Sequence, residues 1–229
     1  MKLQMLAFAA LATSTLAFSQ GIQPAGPSQL DGAFQVRYAS NLILNDAVVN
    51  ITNTGASANG SLTVGLPGQN NIDGSLCVNV YVFSADEQEV ACCSCYVTPN
   101  ALWSASVKTA LLNSTLTPSF PNEVVIKLIS TVPNGNSING TAAGNCNPST
   151  VTAAQLANGL LAWGTTTHGF NTATGPTFQM AETPFLPGTL SAAELARDVT
   201  ECQFIQVLGS GQFGLCKGCS NAGLGANAQ

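Results

Sequence analysis

The chain has 229 residues, of which only 7% are charged, and it carries 6 basic against 11 acidic side chains. A net charge of −5 excludes the basic footprint that nucleic acid or an anionic membrane surface requires. The length suits one large β domain, or one domain with an appendage.

Met1 and Lys2 precede an apolar run over residues 3–18, and Ala17 and Ser19 place small residues at the −3 and −1 positions of a cleavage site. This pattern predicts a secretory signal over residues 1–19 rather than a membrane anchor. Thr13, Ser14 and Thr15 interrupt a run already short for a span of ~30 Å. No later run reaches spanning length, so no membrane insertion is expected once the signal is removed. Loss of Lys2 leaves five basic and eleven acidic residues, a net charge of −6.

Residues 20–32, with Pro24, Gly26 and Pro27, read as a flexible lead-in. Phe34, Val36 and Tyr38 then alternate with polar residues, as do Ala47, Val49 and Ile51. That two-residue period predicts half-buried strands. Residues 53–75 read as a long loop, with one short strand expected over 61–64.

The clearest strand covers residues 76–83. Leu76, Val78, Val80 and Val82 make an aliphatic face, and Cys77, Asn79, Tyr81 and Phe83 the other. Residues 84–88 form a polar turn, and 89–97 return as a hairpin partner. Pairing Ser84 with Glu89 sets Cys93 opposite Val80 and Cys95 opposite Val78, on the core face, with Cys92 facing away. A slip of one residue would reverse every facing.

Trp103, Ala105 and Val107 alternate next. Val124, Ile126 and Leu128 alternate with Val125, Lys127 and Ile129, a strand with little exposure. Residues 132–150 form a second loop, and strands are expected over 160–170 and 177–182. Ser191 and Glu194 form a capping box. Leu195, Val199, Cys202 and Ile205 follow at helical spacing to about residue 208, and Gly209 ends the run. Residues 209–229 read as a Gly-rich tail stapled by cysteines. Residues 33–208 thus predict an antiparallel, immunoglobulin-like β-sandwich, with the late helix capping an open end or covering an edge.

Eight cysteines behind an export signal point to disulfides. The candidates are Cys77, Cys92, Cys93, Cys95, Cys146, Cys202, Cys216 and Cys219. Proximity in sequence favours Cys202 with Cys216 or Cys219, leaving Cys77 and Cys146 to pair with the cluster at residues 92–95. A vicinal Cys92–Cys93 bridge is disfavoured, because neighbouring strand residues face opposite ways. Zinc on Cys93, Cys95, Cys216 and Cys219 is disfavoured by export and by the tight C-x-C spacing. A redox role for Cys216 and Cys219 is disfavoured by the glycines around them, which oppose the helix that lowers a thiol pKa.

His168 is the single histidine, with no nucleophile elbow or second motif directed at it. Asp86, Glu87 and Glu89 supply three carboxylates where calcium wants six to eight oxygens, so a solvated turn is expected. Trp103, Trp163, Tyr81 and Tyr96 are candidates for a sugar-stacking platform, with Trp103 expected in the core. N-x-[ST] sequons at Asn50, Asn59, Asn113 and Asn139 are about as many as chance gives in so Asn-, Ser- and Thr-rich a chain. No catalytic, metal or cofactor set emerges.

The segments VNITNTG, LCVNVYVFSADEQEVACCSCYVTPN, VVIKLI, AWGTTTH, TPFLPGTLSAAEL and GLCKGCSNAGLG resemble a group of uncharacterised exported bacterial proteins. The likeness implies bacterial export and one integrated domain, and brings no activity or functional residue. The expected function is a secreted, non-enzymatic cell-surface, adhesive or matrix role with a surface or matrix partner. The alternative is a secreted hydrolase or carbohydrate-binding module with a loop-borne site. Assembly into fibres through an edge strand such as residues 124–129 is a third expectation.

Overall fold

The computed structural model describes residues 32–57, 74–113, 115, 119–133, 146–208 and 216. The proposed signal, the strand expected over 61–64, Asn59, Asn139 and Cys219 lie outside them.

Nine strands and one α-helix, with three short helical turns between them, organise the described chain: β1 Phe34–Ala39, β2 Val48–Asn53, β3 Leu76–Ser84, β4 Glu89–Val97, β5 Leu102–Ser106, β6 Val124–Thr131, β7 Leu160–Thr172, β8 Gly175–Pro184, β9 Leu186–Pro187 and α1 Ala192–Leu208. One sheet has the order β4-β3-β6-β1-β9 and the other β5-β2-β7-β8. All strand pairs are antiparallel. The chain changes sheets at buried Phe185: Pro184 pairs with Trp163 in one sheet, and Leu186 with Val36 in the other.

The main core lies between the sheets. Val78, Val80, Ile126 and Leu128 of the first sheet pack with Val49, Ile51, Trp103, Leu160 and Ala162 of the second. The two-residue period dictates this: one face of each strand is aliphatic and turns inward. Thus the chain is a mainly β sandwich with a C-terminal helix.

The first sheet is buried on its other face as well. There Phe34, Tyr81, Phe83, Cys92 and Ile129 form a second cluster with Leu195, Cys202 and Ile205 of α1. The helix therefore lies over the outer face of the sheet rather than capping an end of the sandwich. The reason is chemical: β3 is apolar on both faces and needs cover on both. Ser191 Oγ accepts the Glu194 N–H at 3.1 Å, as the capping box predicts. The Glu194 carboxylate instead takes a hydrogen bond from Lys127 on β6.

Residues 124–129 are not an edge. They lie within β6, between β3 and β1 at the centre of the sheet. Their apolar character on alternate and intervening positions reflects this double burial.

Candidate functional site

β4 carries the cysteine cluster, and alternation along it sends the sulfurs to two sides of the sheet. Val80 pairs with Cys93 and Val78 with Cys95, as the hairpin pattern predicts. Near the turn the register shifts between Val82 and Phe83, so that Phe83 rather than Ser84 faces Glu89. Cys92 faces outward and is bonded to Cys202 of α1. Cys93 faces the core and is bonded to Cys216. Cys95 is also disulfide-bonded. Cys92 thus staples the helix to one face of the sheet, and Cys93 staples Cys216 to the other.

These pairings correct two expectations. Cys202 reaches β4, not the tail, because the helix lies on the sheet and its Cys202 turn rests on Cys92. Cys77 pairs with Cys146, not with the cluster, because it lies on the outer face near the chain that returns at Pro148. Among the described residues no cysteine is free.

Beneath the helix lies a charged cluster. Lys127 Nζ sits 3.9 Å from the Phe83 ring centroid, bonds Asp198 at 2.8 Å and also bonds Glu194. Arg197 stacks 5.4 Å from the same ring and bonds Glu201 at 2.9 Å. Asp198 is fully buried, and burial raises its carboxyl to about 6 against the pull of Lys127. Burial, reinforced by Asp198 and Glu201, raises the Glu89 carboxyl to about 9. Neither Glu89 oxygen has a hydrogen-bond partner among the described residues. Tyr81 is buried beside them, its hydroxyl donating to Pro148 O at 2.7 Å, and its pKa is raised by burial.

A carboxylate oxygen of Glu89 lies within 4.8 Å of the Cys92 and Cys202 sulfurs. Those sulfurs are joined to each other and offer no thiolate, so the group does not fit a metal. The acids of the β3–β4 turn do not converge either. Asp86 accepts a hydrogen bond from Ser84, Glu87 occupies a turn position at φ 66°, and Glu89 belongs to the helix interface.

His168 is exposed on β7, opposite Gln179, with no hydrogen-bond partner among the described residues. Trp103 is in the core, and so are Tyr81 and Tyr96. Trp163 is half-buried, and lines a groove of about 670 Å³ with Leu161, Pro184, Phe185, Thr54 and Asn158. Among the described residues, no carboxylate lines that groove.

One exposed apolar feature is an arm, another the end of α1 with Phe204, Val207 and Leu208. β7 pairs with β2 only as far as Gly164, whereas its pairing with β8 continues to Thr172 and Gly175. Beyond the sheet the two strands form a ribbon bearing Phe170, Phe178 and Met180, which are 48%, 56% and 59% exposed. Leu44 packs beside Gly169 and Phe178 at the base. Periodicity foresaw both strands but not the arm, since nothing in a single strand reveals where its neighbour ends. No family model, curated protein or solved structure matches the chain.

Proposed function

We propose that the protein is an exported, non-enzymatic module that works by surface contact, in an adhesive or matrix role. The observation that carries this reading is the β7–β8 arm, which holds large apolar side chains in solvent on a disulfide-stapled scaffold. Exposed apolar patches on a folded domain mark contact sites. The disulfides accord with an oxidising compartment, and no helix among the described residues is long and apolar enough to cross a membrane. The sequence likeness to exported bacterial proteins supports the same assignment.

Protease accessibility of the chain on intact producing cells, with adhesion of those cells to a surface, tests the proposal. Surface exposure and adhesion weakened by Phe178→Ser with Met180→Ser are expected. A hydrolase activity lost on His168→Ala, or on a single carboxylate change, would overturn it.

The Trp163 groove favours a second reading, a carbohydrate-binding module. An aromatic wall with few polar groups suits a neutral ligand. Retardation by neutral polysaccharides in affinity gels, abolished in Trp163→Ala, would establish it.

A further inference from the structure

We propose that β8 pairs with β8 of a second copy, joining two four-stranded sheets edge to edge. The inference rests on the contact role of the arm and names its partner.

Three observations lead there. First, β8 is the outer strand of its sheet, and eight of its ten residues are exposed, all but Gly175 and Ala181. Second, the arm is a ribbon of two strands, an arrangement of marginal stability until a third strand or a cover is added. The opposite edge is engaged at its base, where Thr167 O accepts from Asn41 and Thr165 Oγ1 from Val48 N–H, so the β8 edge is the freer one. Third, the exposed apolar groups lie on both faces of the arm. Phe178 and Met180 share one face with Gly169 and Thr167, while Phe170 and Thr177 lie on the other. A flat partner covers one face only, whereas an added strand extends both.

The sequence of β8 suits its own copy. Antiparallel pairing about a two-fold axis at Met180 sets Pro176 opposite Pro184, Phe178 opposite Glu182, and Met180 against itself. The two prolines, which lack an N–H, then end the ladder at both ends. Glu182 is the one charge on the strand. The two copies of Glu182 stand four residues apart along the ladder, about 13 Å at ~3.3 Å per residue. That exceeds the screening length of about 8 Å in physiological salt, so like charge does not oppose the pairing.

Phe178 and Met180, the large apolar side chains of β8 itself, expose on the order of 230 Å² per copy, taking roughly 200 Å² for a large apolar side chain. Doubled, and with the edge backbone and Thr177 and Gln179 added, this stays below the roughly 1,200 Å² at which stable specific interfaces begin, in the range of weak, transient ones. The result is a weak dimer that becomes populated when the protein is concentrated.

Sedimentation velocity on the full mature chain, from micromolar to sub-millimolar concentration, tests this. The wild type is expected to pass from monomer to dimer. Met180→Lys and Met180→Glu, changes at an exposed position, are each expected to remain monomeric, because like charges meet at the axis. An equimolar mixture of the two variants is expected to dimerise again. Near-ultraviolet circular dichroism verifies folding of both. A monomeric wild type throughout the range, a dimeric single variant, or monomeric variants that the mixture does not rescue would overturn the pairing. Cell-surface exposure is read separately, so failure of the dimer is distinguishable from failure of the contact role.

Discussion

Asp198, fully buried on α1, accepts a 2.8 Å hydrogen bond from Lys127 of β6, and this pair spans the interface between helix and sheet. Removing one member of a buried pair strands the other, which costs about 3–5 kcal/mol. Lys127→Met is therefore expected to destabilise by roughly that amount. The double variant Lys127→Met with Asp198→Leu should recover most of the loss. Urea unfolding at neutral pH checks both.

The pH dependence follows from the same interface. The Glu89 carboxyl moves from 4.5 to about 9, and Asp198 from 3.8 to about 6. Both folded values are raised, so the folded state holds these protons more tightly. Stability is full below about pH 4, falls through pH 6 as Asp198 ionises, and falls further toward pH 9 as Glu89 ionises. Glu89→Gln is expected to flatten the decline between pH 6 and 9 and leave the acid-side part. A series of melting temperatures against pH for the two proteins reads this out.

Cys92–Cys202 closes 110 residues and Cys77–Cys146 closes 69. On chain-entropy grounds each is worth on the order of 4 kcal/mol. Cys92→Ser with Cys202→Ser should also expose α1 selectively, so its amides lose exchange protection before those of β3 and β6. Equal loss across helix and sheet would contradict the two-layer reading of the outer cluster.

Gly164 marks a close approach of chains. A Cβ there would stand 2.6 Å from Val48 O and 2.8 Å from an Arg37 guanidinium nitrogen. Arg37 bonds Thr166 at 2.8 Å and closes the gap between the sheets at β7. Gly164→Ala is expected to cost about 1–3 kcal/mol through overpacking. Thermal unfolding measures it.

The hairpin and the facing of its cysteines were legible because residue alternation is a local property of a strand. Val78 opposite Cys95 and Val80 opposite Cys93 follow from pairing Ser84 with Glu89 at the turn; the two pairs hold in the structure although Glu89 itself faces Phe83. The shift at Phe83, which carries Glu89 to the helix, was not legible: a bulge leaves the polarity pattern of the turn unchanged. Partner choice for Cys202 was misread because closeness in sequence is a weak guide once a rigid helix carries the residue across a sheet. Asp198 shares the buried face of α1 with Leu195, Cys202 and Ile205, but a carboxylate there signals solvent until Lys127 is seen to meet it. The alternation of Val125, Lys127 and Ile129 with aliphatics was the signature of a central strand, not of an edge.

Cys93 and Cys216 lie 123 residues apart and are joined across the core. A pull on the C-terminal tail enters the protein at β4, because the sulfur bond short-circuits everything between. Cys92–Cys202 closes 110 of the same residues, so at about 3.5 Å per residue roughly 430 Å of contour is withheld from extension until both bonds are broken. Reduction of both would release this length, so a load on the chain beyond Cys216 would meet a taut anchor when oxidised and a long, yielding one when reduced.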